Sequence, residues 1–327
     1  MPTHPSFSLT VSAALALLGA LSVLTGCSHP DFPRWFDRFQ RMPLRSVLVD
    51  GQRLAYLDEG QGPPVILLHG FGGSMWQWEY QASALAGPFR VLTLDLLGSG
   101  LSDKPDIAYR PEQVLHYVHG FMEAVGVDRA TLVGNSMGAG VALGMALTHP
   151  ERVDRLILIG GLPPHIKENL ASPIIRQALE SSAPTWLARA ASWLAGSSVT
   201  DRVLKEIVHD HRLLTPAVLH RSNRNRRSSN VLGPVLAMSR TVPIWESDFA
   251  PRLSTIHTPT LVLWGEEDKV FPPAVGRDLA ALLPHAEFTA VPQAGHIPQW
   301  ERPEEVNRAI LEFLTRPPTA DHGTVSR

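Results

Sequence analysis

The sequence predicts an α/β fold in which a mostly parallel sheet is covered by helices on both faces and interrupted by an inserted helical cap. Three observations predict it. Short runs of consecutive apolar residues, PPVILLHG and FRVLTLDLLG among them, are bounded by Pro and Gly, the pattern of strands buried on both faces. Helical stretches separate these runs, and strands joined through helices pair in parallel. From about Pro163 to Trp245 the alternation gives way to consecutive helical segments with no convincing buried strand. With 327 residues and 44% hydrophobic content, the chain supports a substantial core.

Residues 1–26 stand outside that domain. Phe7 to Gly26, FSLTVSAALALLGALSVLTG, carries no charge and ends in small residues, as the apolar region of an export signal does. The single cysteine, Cys27, follows directly; no intrachain disulfide or thiol-rich metal site is possible. Leu24-Thr25-Gly26-Cys27 resembles the lipobox of bacterial lipoproteins, although the preceding MPTHPS contains no Lys or Arg. The resemblance implies a signal peptide over 1–26, lipidation of Cys27 and a membrane held through that anchor; Ser28 implies sorting to the periplasmic face of the outer membrane. A plain transmembrane anchor and an ordinary cleaved signal are the alternatives. Residues 27–43 read as a tether. Its Trp35, Phe36 and Phe39, set among Arg34, Arg38 and Arg41, suit either a headgroup interface or packing on the first strand.

The globular domain begins at Leu44. RSVLVD and QRLAYLDEG alternate apolar and polar residues around Asp50-Gly51, so two antiparallel strands joined by a two-residue turn open the sheet. Between PPVILLHG and FRVLTLDLLG, the stretch WQWEYQASALAG reads as helix. A helix near Pro111 to Val125, a strand at Ala130 to Val133, a helix from Met137 to Thr148 and a strand from Val153 to Ile159 complete the first part of the core, residues 44–162. PIIRQALESS, TWLARAASWLAG and DRVLKEIVHDH supply helices for the cap, residues 163–245. A strand at Thr260 to Leu263 returns the chain to the core, residues 246–315, and the polar residues 316–327 form a frayed tail.

A formal net charge of −2 gives no basic field, so nucleic acid is not an expected partner. Arg221, Arg224, Arg226 and Arg227 read as a solvated face. His116 and His119 share a helix face without an obvious carboxylate partner. No H-E-x-x-H occurs and no G-x-G-x-x-G opens a helix, so no metal and no dinucleotide cofactor is expected.

The stretch GNSMG, Gly134 to Gly138, lies where a strand meets a helix. A nucleophile held on a sharp strand-to-helix turn needs minimal side chains two positions away on either side, which Gly134 and Gly138 supply. The turn places the Met137 amide at a helix start, where it points at a developing oxyanion. A Gly-Ser turn that merely caps the helix gives the same pattern. A serine needs a base, and the base an orienting carboxylate. Asp268 follows the run TLVLWG, and His296 sits in the loop AGHIPQW. Ser136, Asp268 and His296 therefore occur in one of the chain orders known for serine hydrolases.

HGFGGS at 69–74, DLLGSGLSD at 95–103, GNSMG, WGEED at 264–268 and AGH at 294–296 together resemble the α/β-hydrolase superfamily, over about Leu44 to Leu314. The resemblance implies an acyl-enzyme mechanism without cofactor: Ser136 as nucleophile, His296 as base and Asp268 as acid, in preference to Glu266, Glu267 and Asp248. It implies Phe71 as the second oxyanion amide beside Met137, His69 as a structural member of its loop, and Asp95, Gly98 and Gly100 as shapers of the neighbouring loop. The expected activity is that of a serine carboxylesterase or lipase acting on a small-molecule ester, acylglycerols or other lipid-derived esters included. Trp76, Trp78, Trp186, Trp193 and Trp245 either line an acyl pocket or belong to the core. Two other functions fit the same motifs: a carbon–carbon bond hydrolase of ring-cleavage products, and a non-catalytic lipid-anchored binding protein.

Overall fold

The computed structural model describes residues 42–181, 184–194, 197–228 and 231–316. The signal-like residues 1–26, Cys27, nearly all of the tether and all of the tail beyond Arg316 lie outside the described residues. Among those described, no helix is long and apolar enough to cross a membrane.

Eight strands form one sheet: β1 (Arg45–Val49), β2 (Gln52–Glu59), β3 (Pro64–Leu68), β4 (Arg90–Leu94), β5 (Ala130–Asn135), β6 (Val153–Ile159), β7 (Thr260–Gly265) and β8 (Ala286–Val291). Their spatial order is β1-β2-β4-β3-β5-β6-β7-β8. The pairs β1–β2 and β2–β4 are antiparallel, and every pair from β4 to β8 is parallel. The opening hairpin turns at Asp50 (φ 47°) and Gly51 (φ 77°), the two positive φ values that a type I′ turn demands.

The apolar run of β3 shows why its sequence does not alternate. Ile66 and Leu68 enter the core on one face of the sheet, while Val65 and Leu67 enter the core on the other. The first core includes residues of α2 (Pro111–Ala124) and α3 (Met137–Thr148), the second residues of α1 (Gln81–Leu85) and α11 (Pro303–Thr315). The stretch read as one helix from Trp76 divides into a tight turn, Met75–Trp78, and α1; Trp76 and Trp78 enter different apolar clusters.

Between β6 and β7 lie helical segments that include α4 (Pro173–Leu179), α5 (Thr185–Leu194), α6 (Ser198–Ile207), α7 (Pro216–Ser228) and α8 (Leu232–Ser239). Helical turns continue through Trp245–Phe249 and Ala250–Thr255 before β7 begins. Beyond β7, α9 (Pro273–Leu282), β8, α10 (Pro298–Glu301) and α11 complete the layers. Each of these helices opens on proline, whose missing N–H costs nothing in a first turn. The strand order reverses at β3 and β5, so their carboxyl ends flank the crevice where open α/β sheets bind ligands.

Candidate active site

Ser136 occupies the sharp turn between β5 and α3. Its φ of 52° and ψ of −116° are a strained combination for a residue with a Cβ. Close packing enforces the turn. A Cβ at Gly134 would collide with the Gly138 backbone, and one at Gly138 with the Leu68 carbonyl. The Ser136 N–H donates to the Ile159 carbonyl at 2.9 Å, which fixes the turn to the end of β6.

The acid and the histidine come from the loops after β7 and β8. His296 Nδ1 lies 2.8 Å from Asp268 Oδ2. Because a carboxylate only accepts, Nδ1 carries a proton, and in the neutral ring this leaves the lone pair on Nε2. The second carboxylate oxygen, Oδ1, accepts the N–H groups of Val270 (2.7 Å) and Phe271 (3.1 Å). Both side chains are buried, with 6% exposure for His296 and 0% for Asp268, so their pairing is shielded from solvent. Ser136 and His296 line the same cavity. Their side chains are not hydrogen-bonded to each other, and such contacts tighten when substrate binds.

Phe71 follows β3, beside β5 in the sheet, so its amide and that of Met137 rise from neighbouring strand ends. Met137 is the first residue of α3, and its N–H has no intrahelical acceptor. Among the described residues the Phe71 N–H has no backbone acceptor either. The loop is braced by Gln77, whose Oε1 accepts the Gly70 N–H at 2.9 Å. Asp95 accepts Met75 and Leu101 N–H groups at 2.7 Å each, the loop-shaping role expected of it. His69 is fully buried, with Nδ1 2.9 Å from the Gly70 carbonyl and Nε2 accepting the Leu96 N–H at 3.1 Å. Burial lowers its pKa although the bond to the Gly70 carbonyl opposes the shift, and the Nε2 contact requires the neutral ring, so His69 is engaged in bracing its own loop.

The cavity holds about 380 Å³ between the sheet and the cap. Apolar side chains dominate its walls, among them Val141, Leu179, Val203, Val235 and Phe249. Trp76 and Trp245 line it, whereas Trp78 is sealed in the core and Trp186 is 71% exposed on the cap surface. The Trp193 side chain lies outside the described residues.

Several residues behave differently from their sequence context. Arg221 is not on a solvated face: only 11% of its side chain is exposed, and it pairs with Glu79 at 3.2 Å and stacks over Trp76 at 5.0 Å. The side chains of Arg224, Arg226 and Arg227 lie outside the described residues. His116 does have a carboxylate partner, Asp50 of the hairpin turn at 2.6 Å, and His119 is 3.8 Å from Glu123. Among the described residues no group of three or more His, Cys, Asp or Glu is arranged to hold a metal. Glu266 is exposed, whereas Glu267 accepts the Ala294 N–H at 2.9 Å and so braces the histidine loop. Asn135, with no assigned role inside GNSMG, donates to the carbonyls of Ile159 (3.0 Å) and His296 (3.1 Å), linking the serine turn to the histidine loop.

Residues 63–303 match the family model for the alpha/beta hydrolase fold, well over half of the chain. The chain belongs to the α/β-hydrolase family. It is 33% identical over 269 residues to 2-hydroxy-6-oxo-6-phenylhexa-2,4-dienoate hydrolase of Burkholderia cepacia, covering 80% of this chain and 91% of that one. Among solved structures it is similar to a membrane phospholipase A described as a bacterial virulence factor, with TM-score 0.72, 27% identity and coverage of 93% and 96% of the two chains. It is also similar to the enol-lactonase of Burkholderia xenovorans LB400, with TM-score 0.69, 26% identity and coverage of 83% and 100%. This α/β-hydrolase is thus a hydrolytic enzyme whose relatives act on different bonds.

Proposed function

We propose that this α/β-hydrolase cleaves uncharged carboxylic esters with an apolar acyl group through an acyl-enzyme on Ser136. The observation that carries this reading is the cavity lining. Among the described residues, no Lys, Arg, Asp or Glu lines it, and His296 is its only imidazole. An uncharged acyl chain enters such walls favourably, at roughly 25 cal/mol per Å² of apolar surface removed from water. A carboxylate entering it unpaired would lose its hydration without compensation.

In the proposed cycle, Ser136 Oγ attacks the ester carbonyl while His296 Nε2 takes its proton. Asp268 holds the imidazole in the required tautomer and stabilises its cation. The amides of Phe71 and Met137 receive the negative charge on the carbonyl oxygen. His296 then protonates the departing alcohol, and a water activated by the same nitrogen releases the acid. No cofactor enters the cycle.

A second reading has its own support. The Burkholderia cepacia relative is named for a dienoate, which contains no ester, so its hydrolysis breaks a carbon–carbon bond; the sequence match favours that chemistry. The two readings separate in one assay. A graded p-nitrophenyl ester series and 2-hydroxy-6-oxo-6-phenylhexa-2,4-dienoate are offered to the same enzyme. Turnover is expected on the esters, with medium or long acyl chains preferred, and at least tenfold lower kcat/KM on the dienoate. The reverse ranking would assign the protein to carbon–carbon hydrolysis.

The proposal extends to location. Lipidation at Cys27 would hold the enzyme at a bacterial membrane, where lipid-derived esters are at hand; similarity to a membrane phospholipase A is consistent with this. Cys27→Ser is expected to move the protein from the membrane to the soluble fraction of expressing cells. An unchanged distribution would remove the lipid anchor from the proposal.

A further inference from the structure

Glu301 ends α10 and is only 4% exposed, yet it does not line the cavity and has no part in the proposed cycle. Its two oxygens face different parts of the molecule. Oε1 accepts the N–H of Gly295, the residue before His296, at 2.7 Å. Oε2 accepts the N–H groups of His209 and Asp210, just past the end of α6, at 2.8 and 3.0 Å. A parallel bond runs from the His296 N–H to the Ile207 carbonyl at 2.8 Å. The two segments are pressed together: a Cβ at Gly295 would lie 2.7 Å from the Ile207 oxygen and 2.9 Å from the His209 nitrogen.

A buried carboxylate is a costly way to join two loops. Burial raises the Glu301 pKa despite the three N–H donors that favour its charged form, so keeping the charge there opposes folding at neutral pH. What the charge provides is reach in two directions: two acceptor oxygens on one planar group clamp backbone from two elements at once. The element clamped on the cap side also forms the substrate cavity, through Val199, Val203, Leu204 and Ile207.

We propose that Glu301 is a positioning residue that couples the cap to His296, holding the histidine loop and the end of α6 as one unit. A substrate that shifts α6 then moves the histidine loop with it, and the imidazole is aimed at Ser136 only while His209 and Asp210 are seated on the carboxylate. The inference rests on Ser136 and His296 being nucleophile and base, whichever bond is cut.

Glu301→Gln tests it. The amide keeps one acceptor oxygen but turns its NH2 toward backbone N–H groups on the other side, which breaks one half of the clamp. The variant is expected to remain folded and to lose about 10- to 100-fold in kcat, the usual cost of misplacing a reacting group, with KM within about twofold of the parent. Amides 209–210 and 295–296 are expected to exchange faster, while those of β5 and β6 do not. Glu301→Asp, too short to span both loops, is expected not to restore kcat. A folded Glu301→Gln enzyme with unchanged kcat, or with its loss confined to KM, overturns the coupling.

Ser136→Ala is assayed alongside. Retained turnover there would overturn the nucleophile reading and the coupling with it, whereas its loss beside an unchanged Glu301→Gln overturns the coupling alone. Should Glu301→Gln not fold, the parent enzyme labelled at Ser136 with a long-chain phosphonate replaces it. Amides 207–210 and 295–296 are then expected to change protection together, and a change confined to one segment counts against the coupling.

Discussion

Ser136→Ala is expected to lower ester turnover by at least about 10³-fold while leaving the fold intact. The loss follows from chemistry: without Oγ no acyl-enzyme forms, and only the oxyanion amides and substrate binding remain to accelerate attack by water. The fold survives because the hydroxyl does little structural work. Ser136 is held through its backbone, by the N–H to Ile159 and by the amides of Ala139 and Gly140 that donate to its carbonyl. The φ of 52° strains alanine much as it strains serine, so the stability change is expected within about 0.5 kcal/mol. Steady-state assays on p-nitrophenyl esters, paired with thermal unfolding, check both halves. Undiminished turnover in a folded variant would remove Ser136 as nucleophile. No turnover by the parent enzyme on esters or dienoates would instead support the binding-protein reading.

How much of this was legible in the sequence depends on how local each signal is. The serine turn was readable because its requirements are confined to five residues: a strand, two glycines that backbone contact demands and a helix start. The hairpin at Asp50-Gly51 and the helix from Met137 to Thr148 were readable for the same reason, since turn chemistry and apolar runs act at short range. The supports of the site were not. Asn135 reaches a carbonyl 161 residues away, Glu301 meets the cap 91 and 92 residues away, and Arg221 finds Glu79 142 residues away. In each case a polar residue is held by a partner that only the fold supplies. Helix α9 and strand β8 have mixed composition and become visible only as layers completing the sheet. Substrate choice was hardest, because the cavity draws its walls from many separate segments.

Asp268→Asn is expected to lower kcat by about 10³- to 10⁴-fold with little change in KM, and the structure shows why the nearly isosteric change is so damaging. Asp268 Oδ1 accepts two backbone N–H groups, from Val270 and Phe271, so the amide oxygen of asparagine is held on that side. Its NH2 must then face His296 Nδ1, which at present donates to Oδ2 at 2.8 Å. The amide is a donor there, so Nδ1 has to become an acceptor and the ring proton moves to Nε2. With a proton already on Nε2, the imidazole cannot take another from Ser136 until the ring changes tautomer against that hydrogen bond. The packing around the loop is unaltered, so the cavity still binds ester and KM stays near the parent value. Neighbouring carboxylates do not replace the lost one: Glu267 is committed to Ala294 and Glu301 to Gly295, His209 and Asp210. The measurement is kcat and KM on one ester for both proteins, with thermal unfolding as the control. Activity within tenfold of the parent would show that the His296 tautomer does not depend on Asp268, and the orienting acid would have to be sought elsewhere in the site.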